Sequence, residues 1–140
     1  MSDFITKDDL KSLIDDKSLG ELKGVDKCLD FGETEVFEYL NGLYDVQEIL
    51  EKQKDDDGND IRNPKLVMVT ADVVLYHAFA IIAFREMPEI RVIRYKDAIA
   101  YLERLADGEE ETRLPRKTDE DGSIKTAMIV GSEPKRKYII

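Results

Sequence analysis

Apolar residues recur at helical spacing in four stretches of this chain, and the last is the best delimited. Between Arg91 and Gly108, Tyr95, Ala98, Ile99, Leu102, Leu105 and Ala106 make one apolar stripe. Arg94, Lys96, Asp97, Glu103, Arg104 and Asp107 cover the rest, and Gly108 stands where a left-handed C-cap closes a helix. At the other end of the chain, Thr6 with Asp9 three residues on predicts a near capping box, with Ile5 placed to staple onto Leu10. Leu10, Leu13 and Ile14 give that short helix its buried side, and Ser18 to Gly24, with two glycines, predicts a connector. A second helix is predicted from Val25 to about Leu43, because Val25, Cys28, Leu29, Gly32, Val36, Tyr39, Leu40 and Leu43 keep the 3.6 period. Gly32 inside that stripe costs about 1 kcal/mol against alanine, a cost that close approach of another helix would explain. Asn41-Gly42 offers a stop, and Tyr44-Asp45-Val46 starts a short segment ending near Leu50.

Asn63-Pro64 is a strong helix start, an N-cap asparagine followed by proline at the first helical position. The central helix it opens should end near Glu86, with Pro88 as breaker or as the start of the next helix. Its stretch from Leu66 to Phe84 would be about 29 Å long, close to a membrane span. Asp72 and His77 inside it, dilution by Thr70 and alanines, and the lack of an aromatic belt favour a buried central helix. Between the second and central helices, Asp55-Asp56-Asp57-Gly58-Asn59-Asp60 invites comparison with a calcium loop. With Gly58 as the sixth position, the first would be Gln53 and the twelfth Pro64, where a bidentate glutamate is required. A solvated turn or hairpin tip is the expectation.

Beyond Gly108 the helical period disappears. Leu114-Pro115, Asp121-Gly122, Gly131-Ser132 and Pro134 exclude helix, and Ile124 to Val130 alternates like a strand. Residues 113–140 therefore predict an extended arm, up to about 90 Å long, either disordered alone or ordered by neighbours. The fold class expected is mainly α: a four-helix domain over residues 1–112 and an extended, partly β C-terminal arm over 113–140.

Charge follows the same division. Residues 1–112 hold 14 Lys+Arg against 27 Asp+Glu, and residues 113–140 hold 7 against 4. Such a split favours the arm lying on an acidic surface, its own body or a neighbouring copy, and argues against direct DNA binding by the body. One cysteine, Cys28, leaves no disulfide framework and no thiolate metal cluster, and it falls in an apolar stripe as a small hydrophobe would. The opening Met-Ser-Asp-Phe-Ile-Thr lacks the basic and apolar regions of a secretory signal.

Candidate chemistry is sparse. His77 is the single histidine, with Asp72 and Arg85 in its sequence neighbourhood, too few groups for a metal site or a triad. It suits a core or interface histidine bonded to backbone or to a tyrosine. Asp72 in a buried helix must be paired or neutralised, with Arg91, Arg94 and Lys65 as candidate partners. The glycines form no phosphate loop, and the carboxylates are expected on polar faces and in loops. No catalytic, cofactor-binding or metal-binding set emerges. Lys135-Arg136-Lys137, between Pro134 and Tyr138-Ile139-Ile140, is weak as a nucleic-acid or membrane signal and better as a docking tip steered to an acidic patch.

Several of these segments recur together elsewhere. Phe4-Ile5-Thr6-Lys7-Asp8-Asp9-Leu10, Tyr39-Leu40 with Tyr44-Asp45, and Asn63-Pro64 leading to Tyr76-His77 make one set. Arg94-Tyr95-x-x-Ala98-Ile99-x-x-Leu102 ending at Gly108 is the sharpest, followed by Gly131-Ser132-x-Pro134-Lys135-Arg136. In these the chain resembles the Mu-like prophage head–tail connector family, small helical proteins joining the portal of a phage head to the tail. The version with this tail looks like that of phages and prophages of Bacteroides-like bacteria. Leu43 departs from the pattern, standing where an arginine often precedes the tyrosine, and the Asp55–Asp60 loop is a local elaboration.

The resemblance implies an adaptor: a ring of twelve copies on the portal protein, presenting a surface to the next neck or tail protein. It further implies a place at the virion neck after assembly in the host cytoplasm, with DNA passing through the lumen without specific binding, and no membrane or cofactor. Two readings of the residues agree with it. A β-like arm can add a strand to a neighbour, and an acidic body repels phosphate in a DNA channel. The expected partner contacts are Ile124, Met128, Ile129, Pro134, Lys135, Arg136, Lys137 and Tyr138 on the arm, and Arg91, Arg94 and Tyr95 on the body. The rival readings are a stopper or tail-completion protein one layer further from the head, and an acidic regulatory protein that mimics DNA.

Overall fold

The computed structural model describes residues 4–22, 24–81 and 87–118. Among them the chain is mainly helical, with α1 (Lys7–Leu10), α2 (Asp16–Glu21), α3 (Val25–Leu40), α4 (Val46–Glu51), α5 (Pro64–Ala80) and α6 (Glu89–Ala106) in order. α5 is the hub, packing against α1, α3 and α6, and α3 and α6 also touch. Its start is as expected: Asn63 Oδ1 accepts from Leu66 N at 3.0 Å, and Pro64 occupies the first turn. Leu66, Val73, Val74 and Leu75 are fully buried along it. Each such side chain contributes about 1.5–3 kcal/mol relative to an exposed one. The helix is described to Ala80 with Ile81 as cap, so the expected end near Glu86 lies outside the described residues. No described helix is long and apolar enough to cross a membrane.

Gly32 is where α3 meets this hub. A Cβ there would run into the Val74 side chain and would stand 3.2 Å from Val74 Cα. The expected close approach is thus real, and no larger residue fits without moving a backbone. α3 ends at Leu40 rather than Leu43, because Leu43 and Tyr44 are used elsewhere in the core. Its buried side is also wider than one stripe: Glu33 and Phe37 are buried as well. The N-terminal segment covers that flank, with the Phe4 and Phe37 rings edge to face at 5.3 Å.

The expected connector from Ser18 to Gly24 is corrected by α2. Asp15 caps that helix by accepting from Ser18 N at 3.2 Å, and Leu19 is buried beneath it. Gly20 sits on the exposed side, where its cost of about 1 kcal/mol is offset by the cap. The six helices therefore comprise the four expected ones plus α2 and α4.

α1 carries the expected Thr6 start, with Asp9 Oδ2 accepting from Thr6 N at 2.8 Å and Ile5 and Leu10 buried. Arg62 ties it to the following hairpin. Its guanidinium reaches Asp9 at 2.8 Å, Asp60 at 2.6 Å and the Phe4 carbonyl at 2.6 Å. The Asp55–Asp60 loop is a hairpin tip with an antiparallel bridge between Lys54 and Asp60. Asp55 Oδ1 accepts from the backbone of Asp57 at 3.0 Å and Asn59 at 2.8 Å, so the loop's own amides hold that carboxylate.

α6 begins at Glu89, directly after Pro88, and closes at Gly108, whose φ of 77° is the left-handed value expected. Gly108 N donates to Leu105 O at 3.0 Å and Glu109 N to Arg104 O at 2.9 Å, the paired bonds of a Schellman ending. Its buried face is rotated from the expected stripe. Arg91 and Tyr101 are buried with Ala98, Leu102 and Leu105, while Tyr95, Ile99 and Ala106 are half-buried.

Residues 113–118, expected to belong to the arm, run along the body. Leu114 is buried, Asp45 N donates to Pro115 O at 2.8 Å, and Lys117 N donates to Leu43 O at 2.8 Å. Tyr44 and Arg116 form an antiparallel bridge, with the Arg116 guanidinium 5.4 Å over the Tyr44 ring. Three of the seven arm cations, Arg113, Arg116 and Lys117, lie in this stretch, and residues 119–140 hold four cations against four anions. The expected strand Ile124–Val130 falls outside the described residues.

Candidate functional site

Besides Glu33 and the Arg62–Asp9 pair on the N-terminal flank, polar side chains inside the body lie on the α6 side of α5. Asp72 and Tyr76 are one helical turn apart on α5 and His77 follows directly, so one helix edge carries an acid, a phenol and an imidazole. Two clusters result.

The first lies between α5 and α6. Asp72, 5% exposed, receives the Arg94 Nε hydrogen bond at 2.7 Å and has Arg91 Nη1 at 3.8 Å. The pairing expected for Asp72 is therefore present, with Arg94 as the hydrogen-bonded partner. Lys65, the third candidate, lies instead 4.9 Å over the Tyr101 ring. The hydrogen bond to Asp72 raises the Arg94 guanidinium's affinity for its proton. Arg91 goes the other way: burial lowers it, Asp72 opposes that, and Arg94 adds repulsion. Arg91 Nη1 is buried without a hydrogen-bond partner among the described residues. Lys65, Asp72, Arg94 and Asp97 edge a small cavity of about 120 Å³ outside this cluster.

The second cluster joins three helices. Glu35 of α3 places Oε1 2.6 Å from His77 Nε2 of α5, and Oε2 accepts from the Tyr95 hydroxyl of α6 at 2.6 Å. The geometry suits an Nε2–H donor on the imidazole. Tyr95 stacks on Tyr76 with ring centroids 4.0 Å apart, and His77 meets both rings edge-on at 5.6 and 5.9 Å. Burial pushes the Tyr95 phenol up and its bond to Glu35 adds to this. Tyr39 is also pushed up, by burial and then by Glu103 and Glu35. The Glu35 and His77 side chains stay about a quarter to a third exposed, at 27% and 31%. Such a cluster pins three helices in register.

Arg91, Arg94 and Tyr95, expected as partner contacts on the body, are thus brought together by α6 and engaged within the fold. Arg91 is inside, while Arg94 and Tyr95 remain partly open to solvent. Ile124, Met128, Ile129, Pro134, Lys135, Arg136, Lys137 and Tyr138 lie outside the described residues. His77 has a different partner from those its sequence neighbours suggested, since Glu35 lies 42 positions away. The carboxylates expected on polar faces include two that are not. Glu35 sits in this seam, and buried Glu33 accepts from Ile5 N at 2.7 Å. Their signal was spacing: Glu33 and Glu35 flank the Gly32–Val36 row that faces α5. Cys28 is buried, and burial pushes its thiol up, so it packs as a small apolar group. No family model, curated protein or solved structure matches this chain.

Proposed function

We propose that this protein is a virion structural component, a head–tail adaptor that assembles as a ring on a phage portal and links it to the neck or tail. The observation that carries the reading is the rooted arm. Residues 114–117 are fastened beside the end of α3 by the Tyr44–Arg116 bridge and its flanking bonds, so residues 119–140 continue from a defined point on an acidic helical body. That continuation holds the clustered cations of Lys135-Arg136-Lys137 and the alternating Ile124–Val130 segment, both suited to a neighbouring subunit. The polar groups of the body support the same reading, because Asp72, Arg94, Glu35, His77 and Tyr95 are occupied in holding helices together. The ring of twelve, the portal as partner and the place at the virion neck come from the family resemblance.

The test uses a truncation after Thr118, which preserves the root. Full-length chain mixed with its cognate portal should give a ring-bearing portal by native mass spectrometry and negative-stain microscopy, and the truncated chain should not. Equal ring formation by both would refute an assembly role for residues 119–140. Binding that requires a preformed adaptor layer would identify a stopper. A monomer that displaces DNA from a DNA-binding enzyme would identify a mimic.

A further inference from the structure

The α3–α6 seam carries an aromatic and acidic face on its solvent side. Phe31, 61% exposed, is the most exposed large apolar side chain of the described body. It stands one turn before Glu35, whose carboxylate accepts from the Tyr95 hydroxyl, on the same side of α3. Glu38 continues that row two turns after Phe31, and Tyr39 lies under the influence of both Glu35 and Glu103. The face therefore joins an exposed aromatic ring to three carboxylates, with Lys27 one turn before Phe31 as a cation at its far end.

The chemical complement is in the same chain. Residues 134–138 read Pro-Lys-Arg-Lys-Tyr, three consecutive cations between a proline and a phenol. Their tether starts at the right place. Lys117 is bonded to Leu43, three residues beyond the end of α3 at Leu40, so the chain sets out from the Glu38–Tyr39 end of the seam. The 16 residues 119–134 would span about 20–24 Å root-mean-square at random-coil dimensions, and more where extended. The 16-residue α3 is about 24 Å long, so every point of the face is within that reach. Tethering of this kind supplies an effective concentration on the order of millimolar, far above that of any second copy in dilute solution.

We propose that residues 134–138 fold back onto the α3–α6 seam of their own chain in the free protein, forming a latch. The three cations face Glu35, Glu38 and Glu103, and an arginine or lysine side chain covers Phe31. A partner that takes either the tail or the seam opens the latch and frees the other half. This holds whether or not the adaptor reading does.

Zero-length carbodiimide cross-linking of the dilute full-length chain tests it, with peptide mapping of the monomer band. Lys135 and Lys137 should be joined to Glu35, Glu38 or Glu103. Phe31→Ser, at an exposed position, should cut that yield about fivefold, as for the loss of one aromatic anchor. Salt at about 0.5 M, where screening sets in over roughly 4 Å, should cut it too. Links spread over carboxylates by exposure alone, centred on the Asp55–Asp60 hairpin, or confined to a dimer band would each overturn the latch. As a second measurement, Lys135→Glu, Arg136→Glu and Lys137→Glu together should shift amide resonances along the Phe31 face of α3. Unchanged resonances there would overturn it as well.

Discussion

α5 meets its two long neighbours in opposite ways. Against α3 it packs backbone to backbone at Gly32, with Val74 filling the space that a side chain would need. Against α6 it sets a buried acid between two arginines, and a phenol stacked on another. The apolar contact is intolerant of added volume, and the polar contact is intolerant of losing one partner. Both hold helices, but only the polar one specifies which residue of α6 sits opposite which residue of α5.

Removing one partner should have the largest effect. Asp72→Ala leaves Arg91 and Arg94 facing each other and should cost about 3 kcal/mol in urea unfolding. Replacing Asp72, Arg91 and Arg94 together by apolar residues of similar volume should recover most of that loss. If the triple variant is as unstable as the single one, unpaired charge is not the cause.

Next comes added volume. Gly32→Ala should cost about 2 kcal/mol, because Val74 Cα is too close for the backbone to give way freely. Combining it with Val74→Ala should restore part of the loss, since the Val74 side chain is only half of the obstacle. A fully additive double variant would show that the two residues do not meet in solution.

Tyr95→Phe should cost about 1 kcal/mol, by removing a hydrogen bond to a carboxylate still partly exposed to water. The ring remains stacked on Tyr76, so thermal unfolding should stay cooperative. A loss as large as that of Asp72→Ala would make the Glu35 cluster the stronger tie between these helices.

The smallest effect is expected at the Arg62 staple, and it is visible only in acid. Asp60 is pulled down to about 2 by its Arg62 hydrogen bond. Burial alone would raise Asp9, but Arg62 and Thr6 hold it below the ordinary 3.8. Both carboxyls bind protons less readily folded than unfolded, so their contribution is complete above about pH 4 and is lost as pH falls toward 2. Asp60 is half exposed, which screens the effect. Arg62→Gln should flatten stability against pH in that window and leave the neutral region's slope unchanged. An identical acid limb in the variant would remove Arg62 as its source.

Legibility followed the range of the cause. The Thr6–Asp9 box, the Asn63-Pro64 start and the Gly108 ending are made by residues within a few positions of one another, and each is where its local signal put it. Gly32 was legible for another reason: a glycine in a buried stripe has a cost that only close packing explains. The Asp72 pairing followed from the cost of burying a charge. α2 was missed because two glycines outweighed the Asp15 cap, although Gly20 faces solvent and Gly24 lies beyond the helix, at the start of α3. Glu35 was missed because a carboxylate on α3 gives no sign that a histidine and a tyrosine, 42 and 60 positions on, will face it.

By itself, then, the sequence determined where α3 and α5 start, where α6 stops, and that α5 would be central, since caps, breakers and hydrophobic period act over a turn or two. The first turn of α6, from Glu89, it left open between Pro88 and Arg91. The tertiary structure alone decided that Glu35 joins three helices, that Arg91 and Tyr101 turn inward, and that the chain stays on the body as far as Thr118. Those outcomes depend on which helix lies across which, and on Tyr44 being placed to receive Arg116. The free energy for them comes from contacts between residues far apart in the chain, and no local pattern of apolar and polar positions encodes it.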